Sequence, residues 1–177
     1  MTSKYWMVIA VGALFLLAED AQAAVSGQIH ARLIITAGCE VTNGASAGGL
    51  LNGVGNLDFG QQGPTWTTPI KASLSDNTSG KLNVACNPSV TGFTVTIDGG
   101  THGDGSTRRL SNGRQTLSYQ LFLDASGSQS YSIGQQHNFA VTNAGQIPIP
   151  VFGAVVANTR AVPAGVYTDT LMVTLDW

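Results

Sequence analysis

The stretch AVSGQIHARLIITAGC, residues 24–39, repeats at a period of two. Its odd positions Val25, Gly27, Ile29, Ala31, Leu33 and Ile35 are apolar or lack a side chain. Ser26, Gln28, His30, Arg32 and Thr36 make the other face polar, with Ile34 the one exception. That alternation predicts a strand with one face to bury. At about 3.3 Å per residue, residues 25–35 would span roughly 35 Å, longer than the usual strand of about five or six residues.

Upstream lie Lys4, an apolar run over residues 6–18, the polar pair Glu19 and Asp20, and then Ala21, Gln22 and Ala23. A basic start, an apolar core and small residues before the cut predict a secretory signal over residues 1–23. A membrane anchor is the competing reading, but a crossing helix needs about 20 residues and this run is shorter. Cleavage after Ala23 would leave about 150 residues, a length that suits one domain. Lys4, Glu19 and Asp20 go with the signal, so the exported part is close to neutral and offers no field to steer a nucleic acid. Charged residues make up 10% of the chain, against about a quarter in typical domains. A surface so thinly charged is expected to be covered in part by neighbours.

Both cysteines, Cys39 and Cys86, fall in the exported part. In an oxidising compartment two thiols with no other partner are expected to form a disulfide, worth roughly 4 kcal/mol for a loop of this length. Zinc is the rival reading, and two Cys with three scattered His supply no ligand spacing for it.

Downstream, residues 42–55 are rich in Asn, Gly, Ser and Ala and read as a loop. Short β-prone runs follow at 56–60, 82–86, 92–97, 117–123, 137–142, 147–157 and 166–177. Between them stand turn clusters such as Asn87-Pro88, Asp98-Gly99-Gly100 and Asn112-Gly113. No sustained 3.6-residue period is present, so the fold class expected is all-β, an immunoglobulin-like antiparallel sandwich.

In the last run Tyr167, Asp169, Leu171, Val173, Leu175 and Trp177 share one face, almost wholly apolar. The sequence stops within this pattern, which predicts an open sheet edge and an uncovered stretch of core. Residues 24–36 have the complementary chemistry. Burying Val25, Ile29, Leu33 and Ile35 would supply about 10 kcal/mol before entropy losses. Insertion into its own domain would complete a monomer, whereas exchange between copies would give a head-to-tail filament.

Several runs carry a family resemblance: residues 24–39 themselves, LDFG at 57–60, VAC ending at Cys86, TVTIDGG at 94–100, RRL at 108–110, YQLFLD at 119–124, IPIPVFG at 147–153 and AGVYTDTLMVTL at 164–175. Together they resemble the spore coat U family, and within it the major subunits of Csu-type pili built by the archaic chaperone-usher pathway. The resemblance implies an incomplete immunoglobulin-like domain, residues 37–177, whose missing strand comes first from a periplasmic chaperone. At an outer-membrane usher the N-terminal strand of another identical or related subunit would replace it. Carried onto this chain, the donor strand is 24–36, with Val25, Gly27, Ile29, Ala31 and Leu33 facing the groove. The acceptor edge is Tyr167, Leu171, Val173 and Leu175. The resemblance further implies export through the periplasm to a surface pilus used in adhesion and biofilm formation. Tip adhesins of such pili carry an extra N-terminal domain, so the length points to a shaft subunit.

Other constellations point to little chemistry. His30, His102 and His137 are far apart and no nucleophile signature accompanies them, so no catalytic residues are expected. Residues 98–106 resemble a calcium loop but fit neither the EF-hand nor the GGxGxD spacing, and a glycine-rich hairpin connection is the simpler reading. Arg108, Arg109 and Arg114 read as a solvated hairpin, or else as a contact to acidic groups on a neighbouring subunit. Asn77-Thr78-Ser79 is a weak glycosylation match, and Trp66 is either a core anchor or an exposed interface aromatic. The expectation is a structural subunit with no cofactor, no metal, no nucleic acid and no small-molecule substrate. The alternative is a self-complete secreted binding or protective coat module that acts as a monomer.

Overall fold

A computed structural model describes residues 28, 30–42, 45–47, 50–52, 54–74, 81–142 and 145–177. The chain divides into two units, Met1–Ile34 and Ile35–Trp177. In the first, Gln28 and residues 30–34 are exposed and carry no strand, with Leu33 83% and Ile34 64% exposed. The strand expected over 25–35 is therefore absent from its described residues, and Val25, Gly27 and Ile29 lie outside them. A strand is fixed by its ladder partner, and Ala31 and Leu33 have none among the described residues.

Among the described residues the second unit has twelve strands: β1 (Cys39–Val41), β2 (Ala45–Ala47), β3 (Leu50–Asn52), β4 (Ile70–Ser73), β5 (Lys81–Cys86), β6 (Gly92–Ile97), β7 (Arg108–Ser111), β8 (Thr116–Phe122), β9 (His137–Ala140), β10 (Ile147–Pro150), β11 (Phe152–Val155) and β12 (Val173–Asp176). No helix occurs among the described residues. The strands form sheets in the orders β1-β5-β10, β4-β11-β8-β7, β12-β6-β9 and β2-β3, and every pairing is antiparallel. Strand β6 shows why these segments are strands. Phe93, Val95 and Ile97 alternate with Thr94 and Thr96, so one face is fully buried and the other is not. Residues 147–155 run as one chain through Val151, pairing first with β5 and then with β4 and β8. Leu82, Val84, Val95, Ile97, Leu121, Tyr131 and Ile149 sit at the centre of a single core cluster.

Three expectations change. The loop expected over 42–55 contains the hairpin β2–β3. Residues 57–60 form no strand, although Leu57 and Phe59 pack on the core. Room for them comes from Gly153, where a Cβ would stand 2.5 Å from Leu57 Cδ2 and 2.9 Å from Phe59 Cζ. Alternation there is met by side chains filling a hole, with no ladder behind it. The last strand, expected from 166, is confined to β12, because residues 168–172 meet their neighbours at separate points, Thr168 at Ser111 in an isolated bridge, Thr170 at Thr101 and Met172 at Asp98, with no continuous ladder. Cys39 and Cys86 face each other in the β1–β5 ladder and are joined by a disulfide, S–S 2.08 Å.

Candidate functional site

Residues 167–176 alternate as the sequence predicts: Tyr167, Asp169, Leu171, Val173 and Leu175 are half-buried, while Thr168, Thr170, Met172, Thr174 and Asp176 are exposed. Leu171, Val173 and Leu175 rest against the buried core. The even residues also carry the hydrogen bonds to the rest of the sheet. Thr168 and Ser111 exchange backbone bonds of 3.0 and 2.9 Å, the Thr101 amide donates to the Thr170 carbonyl at 3.1 Å, and the Asp98 amide donates to the Met172 carbonyl at 3.1 Å. Continuing that alternation along the β6 register pairs Thr174 with Thr96 and Asp176 with Thr94. The N–H and C=O groups of Leu171, Val173 and Leu175 consequently point the other way. Among the described residues no strand pairs along that side of β12. The arrangement is a strand edge with free backbone groups above half-covered apolar side chains, which is what an added strand requires. Tyr167 stands just before it, its hydroxyl donating to the Pro163 carbonyl at 3.0 Å.

The start of this edge is fixed by a buried carboxylate. The Asp169 side chain is 1% exposed. It accepts from Tyr119 Oη at 2.8 Å, from Thr101 Oγ1 at 2.9 Å and from the His102 amide at 3.1 Å. Burial pushes its carboxyl up, but the hydrogen bonds from Tyr119, Thr101, His102 and Thr170 outweigh it and hold the group below the usual carboxylate range. Nearby, Arg108 is buried and donates to the Asp98, Tyr131 and Ile97 carbonyls at 2.7, 2.6 and 2.9 Å. The reading of Arg108 as part of a solvated hairpin is thus corrected: its cation knits three chain segments together. Burial lowers its pKa, as desolvation of a cation must. Arg109 pairs with Asp104, and Arg114 is exposed. The sequence reading gave Asp169 no role, although an aspartate on an otherwise apolar face was the available signal.

At the far end of β12, a Cβ on Gly38 would lie 3.8 Å from the Trp177 indole. The start of β1, stapled by the disulfide, therefore stands beside the end of β12. Trp66 is half-buried, packs on the core, and donates its indole N–H to the Val156 carbonyl at 2.8 Å, so it is an anchor. Asp98 and Asp104 cap turns, accepting from the Gly100 amide at 3.0 Å and the Thr107 amide at 2.7 Å respectively. No group of metal-ligating side chains is found among the described residues.

An all-β antiparallel domain whose β12 edge is unpaired among the described residues, above half-covered apolar side chains, is the class these observations define. The Spore Coat Protein U domain model matches residues 25–174, and the chain belongs to that family. No curated protein matches it. Among solved structures it is similar to a chain of the chaperone–tip adhesion subunit pre-assembly complex from archaic chaperone-usher Csu pili of Acinetobacter baumannii. That match has 18% identity and TM-score 0.52, covering 81% of this chain and 40% of that one. A chaperone–tip adhesin complex of CFA/I fimbriae also matches, with 14% identity and TM-score 0.42, over 79% of this chain and 41% of that one. The chain thus spans well under half the length of the solved chains it matches.

Proposed function

We propose that this protein is a shaft subunit of a chaperone-usher pilus that polymerises by donor-strand exchange. Residues 24–36 of one copy add to the open edge of β12 in the next, with Val25, Gly27, Ile29, Ala31 and Leu33 facing its groove. Tyr167, Leu171, Val173 and Leu175 line the accepting edge. The observation that carries this reading is the unpaired side of β12 over half-buried Leu171, Val173 and Leu175. The exposure of Leu33 and Ile35, 83% and 74%, supports the donor half. The likeness to a chain of a pilus chaperone–subunit complex supports a periplasmic chaperone as the first partner and an outer-membrane usher as the second. Residues 1–23 act as the export signal, and the product is a surface fibre for adhesion and biofilm formation. Its role is structural and not enzymatic.

The test is periplasmic expression with and without a strand-donating chaperone, for the full chain and for a form lacking residues 24–36. Both forms should be recovered as chaperone complexes by size-exclusion chromatography, and only the full chain should yield fibres in the electron microscope. A full chain that stays monomeric and stable without any chaperone would favour a self-complete binding or coat module.

A further inference from the structure

The two ends of the second unit differ in charge. At the end where the last segment begins, Ser111 bonds Thr168, and a Cβ on Gly165 would stand 3.2 Å from Asn112 Nδ2. The turn containing Arg114 therefore flanks Tyr167 and Asp169. Arg114 is exposed and makes no ion pair among the described residues, while Arg109 is neutralised by Asp104. His102 is already paired, its ring Nδ1 3.3 Å from the Asp169 carboxylate, which leaves Arg114 as the unpaired cation at this end among the described residues. At the opposite end, where Gly38 meets Trp177, the charged groups are Glu40 and Asp176. Both are exposed without an ion pair among the described residues, and Trp177 is 60% exposed beside them.

The donor-strand reading, on which this inference rests, brings these ends together. Every strand pair in the domain is antiparallel, and a strand added to β12 in the same sense places donor residue 35 beside Tyr167 and Asp169. From residue 35 to residue 38 the chain reaches at most about 11 Å. The body of the donating copy must then begin close to Arg114. A parallel addition would instead set one acidic end against another. We propose that the Glu40, Asp176 and Trp177 end of the donating copy docks on the Arg114 end of the accepting copy. Exposed ion pairs add little affinity and are screened by salt, so this contact sets the angle between successive subunits and speeds encounter while the strand supplies permanence.

The test uses fibres of the full chain carrying Arg114→Lys, assembled from mixed isotope-labelled and unlabelled copies and treated with a zero-length amine-to-carboxyl coupling reagent. Mass spectrometry should find mixed-isotope peptides joining position 114 to Glu40 or Asp176. Arg114→Glu should slow assembly at low salt by about three- to tenfold, with the rate restored by Glu40→Lys and Asp176→Lys in the same chain. Fibres whose position 114 couples only elsewhere, or an Arg114→Glu chain that assembles at the wild-type rate, would overturn the docking. Loss of assembly on deleting 24–36 alongside either of those results removes the docking alone, whereas assembly that survives the deletion removes the donor-strand reading with it.

Discussion

Tyr119 donates its hydroxyl to Asp169 at 2.8 Å, tying β8 to the segment that leads into β12. Gly100 makes the meeting possible. Its φ of +79° and missing side chain leave room for a carboxylate whose Oδ2 would stand 2.0 Å from a Cβ there. The carboxyl is held below the usual range, so its contribution to stability is present above the ordinary carboxylate pKa of about 3.9 and is lost as pH falls through the lowered folded value. Asp169→Asn should cost about 1–3 kcal/mol at pH 7, since the amide nitrogen cannot accept these bonds. Urea unfolding at pH 7 and pH 3 should show a weaker variant with a shallower acid decline. Asp104, held at about 2 by Ser106 and Thr107, and Asp124, held at about 2 by Ser128 and Ser126, add a smaller acid sensitivity, since both are solvent-screened. An acid limb as steep as wild type would clear Asp169 of the role.

Tyr131 contributes to the other side of the pH range, beside Tyr119, which burial and the hydrogen bond to Asp169 also push up. Tyr131 is 1% exposed, its hydroxyl donates to the Pro150 carbonyl at 3.2 Å, and burial pushes its pKa up to about 12. A raised phenol stabilises the fold below the unfolded value of about 10, and that stability drains away as pH climbs from about 10 towards 12. Tyr131→Phe should be less sensitive across that window and slightly less stable at pH 7. Thermal melts at pH 8 and pH 11 measure both effects, and identical losses in the two proteins would count against the account.

The strands that were legible are those whose two faces meet different surroundings. β6 matches its expected bounds, and β5, β8 and β9 begin or end within a few residues of theirs, because Val95 and Ile97 see core while Thr94 and Thr96 do not. β1, β4 and β7, at three or four residues each, are too short to show a period. Arg108 was illegible for a different reason. Its partners are carbonyls of residues 97, 98 and 131, brought in by the fold, and two adjacent arginines beside a glycine-rich loop give no hint of burial. The edge of β12 was readable because Leu171, Val173 and Leu175 keep the alternation throughout. The residues proposed to pair with it alternate in sequence, though nothing local reveals where such a strand pairs.

The Cys39–Cys86 bond closes a loop between positions 47 apart and fixes the first pair of the β1–β5 ladder. Restricting the unfolded chain this way is worth about 4 kcal/mol. Replacing both cysteines by serine should lower the melting temperature by on the order of 10 °C for a domain of this size. Calorimetry of the oxidised, reduced and serine forms checks this. A shift confined to a degree or two would mean that β1 holds its place without the bond.

Leu33 offers a substitution that separates folding from assembly. At 83% exposed it contributes no core packing, so Leu33→Asp should leave the melting temperature of the chaperone-released subunit within experimental scatter. In the groove the same side chain would be buried, where a leucine is worth about 1.5–3 kcal/mol and an unpaired carboxylate is strongly disfavoured. Fibre yield should therefore fall by about tenfold or more, in line with that energy. Arg32, exposed and on the opposite face of the strand, supplies the control: Arg32→Asp should assemble nearly as wild type. If Arg32→Asp and Ile34→Asp reduce fibres while Leu33→Asp assembles, the register is off by one residue, because a one-residue slip exchanges the two faces, and if all three assemble as wild type the strand is not the joining element.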